Sequence, residues 1–213
     1  MRNLILGIIL LLSFSVTGQN REKAVAELEK CAAYFENNTG VEALFILREM
    51  EKGSKESHSF EGVLKSRGNK FYISTPDVDT WFDGKTQWSY VKGNEEVNVT
   101  DPTPEEVEAV NPVALLRLYK KGFKVSYKGE KNVGGKTGYD IEMIPSVKNA
   151  QWQQVNLVID PVTHRPLSIT LRQKGGSTHE ITFLKITDKL NLKDTEFVFN
   201  KINFPAVEII DLR

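Results

Sequence analysis

The chain has 213 residues, with 28 basic residues balanced by 28 acidic ones, three histidines and a single cysteine. That balance gives no long-range field for nucleic acid, and no basic run of the phosphate-binding kind occurs. One cysteine cannot close an internal disulfide, so the chain must be held by its core, and it is long enough to form one.

In chain order, Met1-Arg2-Asn3 precedes an almost unbroken apolar run, Leu4 to Val16. The run is shorter than the roughly 20 residues a membrane-spanning helix needs. A basic start, a short apolar core and the small residues of Val16-Thr17-Gly18 predict a cleaved secretory signal over residues 1–18, with cleavage before Gln19. Cys31 follows Glu29-Lys30 rather than an apolar core, so it is no lipid-attachment cysteine. Without Arg2, 27 basic residues face 28 acidic ones, a net charge of about −1. The expected mature unit is a single soluble domain, 19–213, with no internal repeat.

Arg21 to Glu36 carries Val25, Leu28, Ala32 and Phe35 at three- and four-residue steps, the stripe of an amphipathic helix, with Cys31 beside it as a small hydrophobe. Val41 to Met50 is extended but bulky on both faces, and the pattern does not orient it. His58 to Ser66 puts Phe60, Gly62 and Leu64 on one face. Asn69 to Thr100 then alternates with period two: Phe71/Ile73, Trp88/Tyr90 and Val97/Val99. Thr75-Pro76-Asp77, Asp83-Gly84-Lys85 and Lys92-Gly93-Asn94 supply its turns. These strands predict a meander with one aromatic-rich face.

Thr103-Pro104-Glu105-Glu106 is a helix start, and a second helix from Asn111-Pro112 groups Leu115, Leu116 and Tyr119 before Lys120-Lys121-Gly122 ends it. Five further strands follow from Phe123, with turns at Gly134-Gly135, Asp160-Pro161 and Gly175-Gly176, and Val207 to Leu212 has the pattern of a last one. The expected fold is mainly β: a single curved antiparallel sheet or incomplete barrel of about eleven strands. An N-terminal helix and a central helical lid cover it.

Catalytic patterns fail one by one. Gly84-Lys85-Thr86 and Gly135-Lys136-Thr137 lack the earlier glycine of a P-loop and lie between strands, where hairpin turns explain them. His58, His164 and His179 have no metal-ligand spacing. There is no G-x-S-x-G elbow. Asp79 and Asp83 are the one candidate carboxylate pair, and acid-rich turns are the commoner origin of such a pair. The reading is therefore of a binding protein rather than an enzyme, with no cofactor and no metal. A one-sided apolar sheet under a lid suits an acyl chain. Each CH₂ taken from water is worth about 0.8 kcal/mol, so a C16 chain offers on the order of 10 kcal/mol. The same pattern also describes an ordinary closed core.

Trp81-Phe82-Asp83-Gly84-Lys85-Thr86-Gln87-Trp88-Ser89-Tyr90 resembles the "DGKT-x-W-x-Y" segment of the LolA family of periplasmic lipoprotein carriers. Phe60 to Lys65 and Asn69-Lys70-Phe71 resemble the strands before it, and Val110-Asn111-Pro112 to Leu116 the family's "NP" lid segment. The resemblance implies a periplasmic monomer that carries acylated lipoproteins from an inner-membrane release transporter to the outer membrane, with an outer-membrane receptor left open. A lipid or lipoprotein sensor on the same fold is the competing class. The implied acyl site comprises Phe60, Leu64, Phe71, Ile73, Trp88, Tyr90, Val97, Leu115, Leu116 and Tyr119. Arg67 matches the family's arginine that locks the lid. Strict alternation from Gly62 puts Arg67 opposite Leu64, and a bulge near Ser66-Arg67-Gly68 would bring it to the lid side.

Overall fold

A computed structural model of the chain describes residues 2–54, 56–111, 113–147, 150 and 152–213, with side chains from Gly18 onward except at 108 and 109. The side chains of the expected signal core, Leu4 to Val16, and Pro112 of the second lid helix therefore lie outside the described residues. Helix α1 runs Arg2–Glu36, across the start expected at Arg21. Among the described residues no helix is long and apolar enough to cross a membrane.

Among the described residues twelve strands form one open sheet. The first six are β1 Val41–Met50, β2 Ser57–Arg67, β3 Lys70–Ser74, β4 Val78–Phe82, β5 Gln87–Val91 and β6 Glu96–Thr100. Helix α2, Pro104–Val110, and a 3-10 helix, Ala114–Lys121, make the insert. Then come β7 Phe123–Val133, β8 Lys136–Pro145, β9 Trp152–Ile159, β10 Pro166–Gln173, β11 Thr178–Thr187 and β12 Glu208–Asp211. The spatial order is β12-β6-β5-β4-β3-β2-β1-β11-β10-β9-β8-β7. All pairings are antiparallel except β12 on β6, which is parallel, so the expectation of a wholly antiparallel sheet fails at its edge. The cause is the tail: from β11 it crosses behind the first six strands and arrives at β6 running the same way.

Turn chemistry sets the registers. Gly68, at φ 60°, and Asn69 join Arg67 to its partner Lys70 in a two-residue hairpin. The Asp83 carboxylate accepts from the backbone N–H groups of Lys85 and Thr86 at 2.9 and 2.8 Å, fixing the next tight turn. In α2, Thr103 and Glu106 form a reciprocal capping box, and the 3-10 helix ends on left-handed Gly122.

The face towards α1, here the inner face, holds two linked apolar clusters. In the first, Leu28, Cys31, Ala32 and Phe35 of α1, with Leu115, Leu116 and Leu118, pack on β7–β10. Cys31 is thus in the stripe rather than beside it, and burial pushes its thiol well above the usual range, with Glu27 adding to the shift. In the second, Ala43, Phe45, Leu64, Phe71 and Phe82 pack under Val107 and Val113 of the insert. Phe45 lies across Gly62 on the neighbouring strand. A Cβ at Gly62 would stand 2.3 Å from the Phe45 ring.

Gly62→Ala should therefore cost about 1–3 kcal/mol by overpacking, read from the urea midpoint, and Phe45→Leu in the same chain should recover most of it. Equal stability of Gly62→Ala and the natural chain would contradict this packing.

Candidate functional site

Strand alternation decides which candidate residues meet. Leu64, Phe71 and Ile73 share the inner cluster with Phe45 and Phe82. Phe60 is half-buried near the far end of β2, opposite Leu47. Leu115 and Leu116 lie in the α1 cluster, and Tyr119 packs against it, its hydroxyl donating to Glu29 at 3.1 Å. The expected single face breaks at β4. There Trp81 and Phe82 are consecutive and both buried, Phe82 inward and Trp81 outward. Trp81 pairs with Trp88, Trp88 with Val99, and Tyr90 with Val97, so Trp88, Tyr90 and Val97 belong to the outer face. They pack there with Phe199, Phe204 and Val207 of the tail. These three residues are thus parted by the thickness of the sheet from Leu64, Phe71 and Ile73.

Arg67 is likewise on the outer face, because the β2–β3 register carries no bulge. Its guanidinium donates to the Leu192 carbonyl and to the Asp194 carboxylate, and lies 5.7 Å from the centre of the buried Phe197 ring. Lys70 reaches Asp194 at 2.6 Å and Lys65 reaches Glu196 at 2.8 Å. Three cations of the β2–β3 hairpin therefore hold the tail, not the insert. The lid-lock role expected of Arg67 has no contact to support it.

On the inner face the insert is lightly fastened. Helix α2 has seven residues, fewer than the roughly 12–15 at which an isolated helix begins to persist, and packs chiefly on the 3-10 helix. The 3-10 helix in turn is tied to α1 by Arg117, which donates from two nitrogens to Glu36. Beside α2 a cleft of about 500 Å³ is lined by Phe82, Pro102, Pro104, Val107 and Ala114, with Asn69, Lys85 and Asn111 at its polar parts. Phe82 and Val107 join this cleft to the inner cluster. An adjoining cleft of about 680 Å³ is lined by Gln87, Thr100, Glu106, Val110 and Arg213. Both volumes suit a small-molecule pocket. Phe82, Val107, Val113 and Phe45 were missing from the sequence-based site. The adjacent pair Trp81-Phe82 was the available signal, since both can be buried only if both faces are covered.

The carboxylate pair dissolves into turn structure. Asp79 accepts from Ser74 Oγ at 2.6 Å and pairs with Lys92 at 2.9 Å, while Asp83 caps its own turn. His164 contacts Glu27 at 3.1 Å and His179 contacts Glu49 at 3.3 Å, each a separate structural pair.

A family model described as "Outer membrane lipoprotein carrier protein LolA" matches residues 14–175. The chain belongs to the LolA family. An uncharacterized protein of Methanocaldococcus jannaschii, MJ0687, is 26% identical over 199 residues, which cover 92% of this chain and 57% of that relative; the chain thus spans little more than half its length. Among solved structures, an uncharacterized conserved protein from Thermus thermophilus aligns with a TM-score of 0.61 at 10% identity, over 89% of this chain and 99% of that one. A LolA superfamily protein from Nitrosomonas europaea, NE2245, aligns with a TM-score of 0.45 at 10% identity, over 83% and 97%. At 10% identity the likeness to the Thermus protein is one of fold. The LolA-like sheet is open, with its helices on one face and the tail on the other.

Two outcomes follow from the position of Arg67. Arg67→Leu should speed amide exchange across Thr195 to Val198 and shift Trp81 and Trp88 emission, while exchange across Glu105 to Val110 stays as it was. Faster exchange in α2 instead would restore the lid lock. The second concerns pH. A hydrogen bond from Lys70, and then the charge of Arg67, hold the Asp194 carboxyl below the ordinary carboxylate range against the opposing effect of burial. A depressed folded pKa gives the tail a stabilisation that is complete above the unfolded value, about 3.9, and is lost as pH falls from there through the lower folded pKa. Tail protection should thus be level from pH 8 to 5 and drop below about pH 4; a drop centred near pH 6.5 would implicate a histidine.

Proposed function

We propose that the protein carries acylated lipoproteins through the periplasm, holding their acyl chains on the inner face beneath the insert. The observation that carries this reading is the junction of the 500 Å³ cleft with the Phe71–Phe82 cluster, roofed by a seven-residue helix. A carrier must bind apolar chains strongly and still release them. The cluster supplies the first property: roughly 25 cal/mol is gained per Å² of apolar surface removed from water. The insert supplies the second, because lifting α2 parts Val107 from the cluster without breaking any strand pairing.

In this reading residues 1–18 direct export and are removed before Gln19. The mature chain accepts cargo from an inner-membrane release transporter and delivers it at the outer membrane, to a receptor or to the bilayer. Leu115, Leu116 and Tyr119 act as the hinge side of the insert, seated on α1, rather than as walls of the acyl site. Leu64, Phe71, Ile73 and Phe82 are its floor.

The test is displacement of nile red by palmitate and by a palmitoylated peptide. Val107→Glu puts a charge at the roof of the cleft, half-exposed and outside the sheet. It should weaken acyl binding at least tenfold while shifting the thermal midpoint by only a few degrees, as a change of about 1 kcal/mol does in a chain of this size. Undiminished binding by a folded Val107→Glu protein would move the acyl site elsewhere, and failure of palmitate to bind the natural protein would end the carrier reading.

A further inference from the structure

The inner face changes character along its rows. One row runs Leu64, Ile73, Thr80, Ser89, Asn98, and the next runs Phe71, Phe82, Gln87, Thr100. Each begins apolar in β2 or β3 and ends in hydroxyls and amides on β4–β6. These five polar side chains are half-exposed. Gln87 donates to Ser89 at 3.2 Å, but its own carbonyl oxygen is buried with no hydrogen-bond partner. An orphaned buried acceptor is costly unless something donates to it.

We infer that this hydroxyl-and-amide stripe binds an extended, uncharged stretch of polypeptide: the segment adjoining the acylated residue whose chains lie over Phe71 and Phe82. The inference rests on the acyl-carrier reading above and adds a second, polar subsite to it.

Three observations favour a neutral peptide. First, the charged groups around the 680 Å³ cleft are already engaged: Asp101 accepts from Thr86 at 2.8 Å and lies 3.5 Å from Lys85, Arg213 holds Asp211 at 2.5 Å, and Glu106 serves the helix cap. What is left for a ligand is uncharged donors and acceptors, which match backbone N–H and C=O groups. Second, the two polar rows are two residues apart along each strand, about 6.8 Å, which is the i, i+2 repeat of an extended chain laid parallel to the strands. Third, β12 occupies the β6 edge, so an incoming segment lies over the face instead of extending the sheet. The stripe offers no aromatic platform of the sort a sugar ring stacks on, because Trp81, Trp88 and Tyr90 all point to the outer face.

The experiment compares three probes on the full chain: palmitate, palmitate linked to the amino terminus of a Gly-Ser-Ala hexapeptide, and a palmitoyl sucrose ester. Affinities come from nile red displacement, and the side-chain amide signals of Gln87 and Asn98 are followed by NMR in the natural protein. The palmitoyl peptide should bind at least tenfold more tightly than palmitate and should move both amide signals, which palmitate alone leaves in place. Gln87→Met with Asn98→Leu should erase the tenfold advantage of the palmitoyl peptide over palmitate. If palmitate and the palmitoyl peptide bind equally, with the amide signals unmoved by either, the peptide subsite is wrong while the acyl carrier stands. If the sucrose ester gains the advantage instead, the stripe reads glycan and the inference is overturned. If no probe binds, both readings fall together. Because the NMR readout uses the natural chain, misfolding of the double variant cannot hide the answer.

Discussion

Trp81 and Phe82 are neighbours in one strand, and both are buried. A strand sends consecutive side chains to opposite faces, so this pair requires that both faces of the sheet be covered at β4. The inner cover is the insert, through Val107 and Val113, and the outer cover is the tail, through Phe199 and Phe204. Phe199 and Phe204 stack on each other at 5.2 Å and meet Trp81 edge-on at 5.6 and 6.0 Å. Aromatic pairs in these geometries contribute about 0.5–1.5 kcal/mol each beyond the area they bury. The rest of the arrangement follows: the tail must cross the back of β1–β6, and its end then meets β6 in parallel.

This division assigns different mechanical characters to the two covers. The tail is fastened along its length. It makes backbone bonds from Leu190 and Leu192 to Gly40 and Thr39, then the Arg67, Lys70 and Lys65 pairs, then the aromatic stack, then the β12–β6 ladder. The insert has a capping box at one end, a 3-10 helix seated on α1 at the other, and a short helix between. Exposed ion pairs add little individually, so the tail's hold comes mainly from Phe197, Phe199 and Val207 in the core, with the cations fixing its path. A moving element is drawn from the weakly packed part of a structure, and here that part is α2.

Much of the fold was legible in the sequence. Period-two alternation and the Asp83-Gly84, Gly134-Gly135 and Gly122 signals located the strands, the turns and the insert. Turn signals are local, and each was satisfied locally: Gly134 and Gly135 take φ of 56° and 82°. What alternation alone does not carry is the sense of each strand relative to its neighbours. Phe71/Ile73 and Trp88/Tyr90 are both clean apolar alternations, and nothing in either segment says they point in opposite directions. The information sits in β4 between them, where Phe71 pairs with Phe82 and Trp81 with Trp88. Reading the chain from Phe71 through Phe82 to Gln87 keeps one face, whereas grouping by hydrophobicity jumps to Trp88 and changes face. Arg67 failed for the same reason: parity from Gly62 placed it outward, and no bulge intervened. The parallel β12 was illegible because the route of the tail depends on a surface, the outer aromatic face, that exists only once the sheet is assembled.

The same parity that removes Trp88 and Tyr90 from the inner face puts Gln87 and Ser89 there in their place. The inner surface is therefore not uniformly apolar, and in the proposed reading its two halves would suit different parts of one acylated polypeptide. An entirely apolar trough would bind a free fatty acid as well as an acylated protein, since the gain depends on apolar area alone. A stripe of neutral donors and acceptors beside the acyl floor adds little for a free acid, whose carboxylate seeks a cation. It adds more for a chain whose polar groups continue in register with the strands. Specificity is a difference between affinities, and here it would arise from which face the even-numbered and odd-numbered residues of β4, β5 and β6 present.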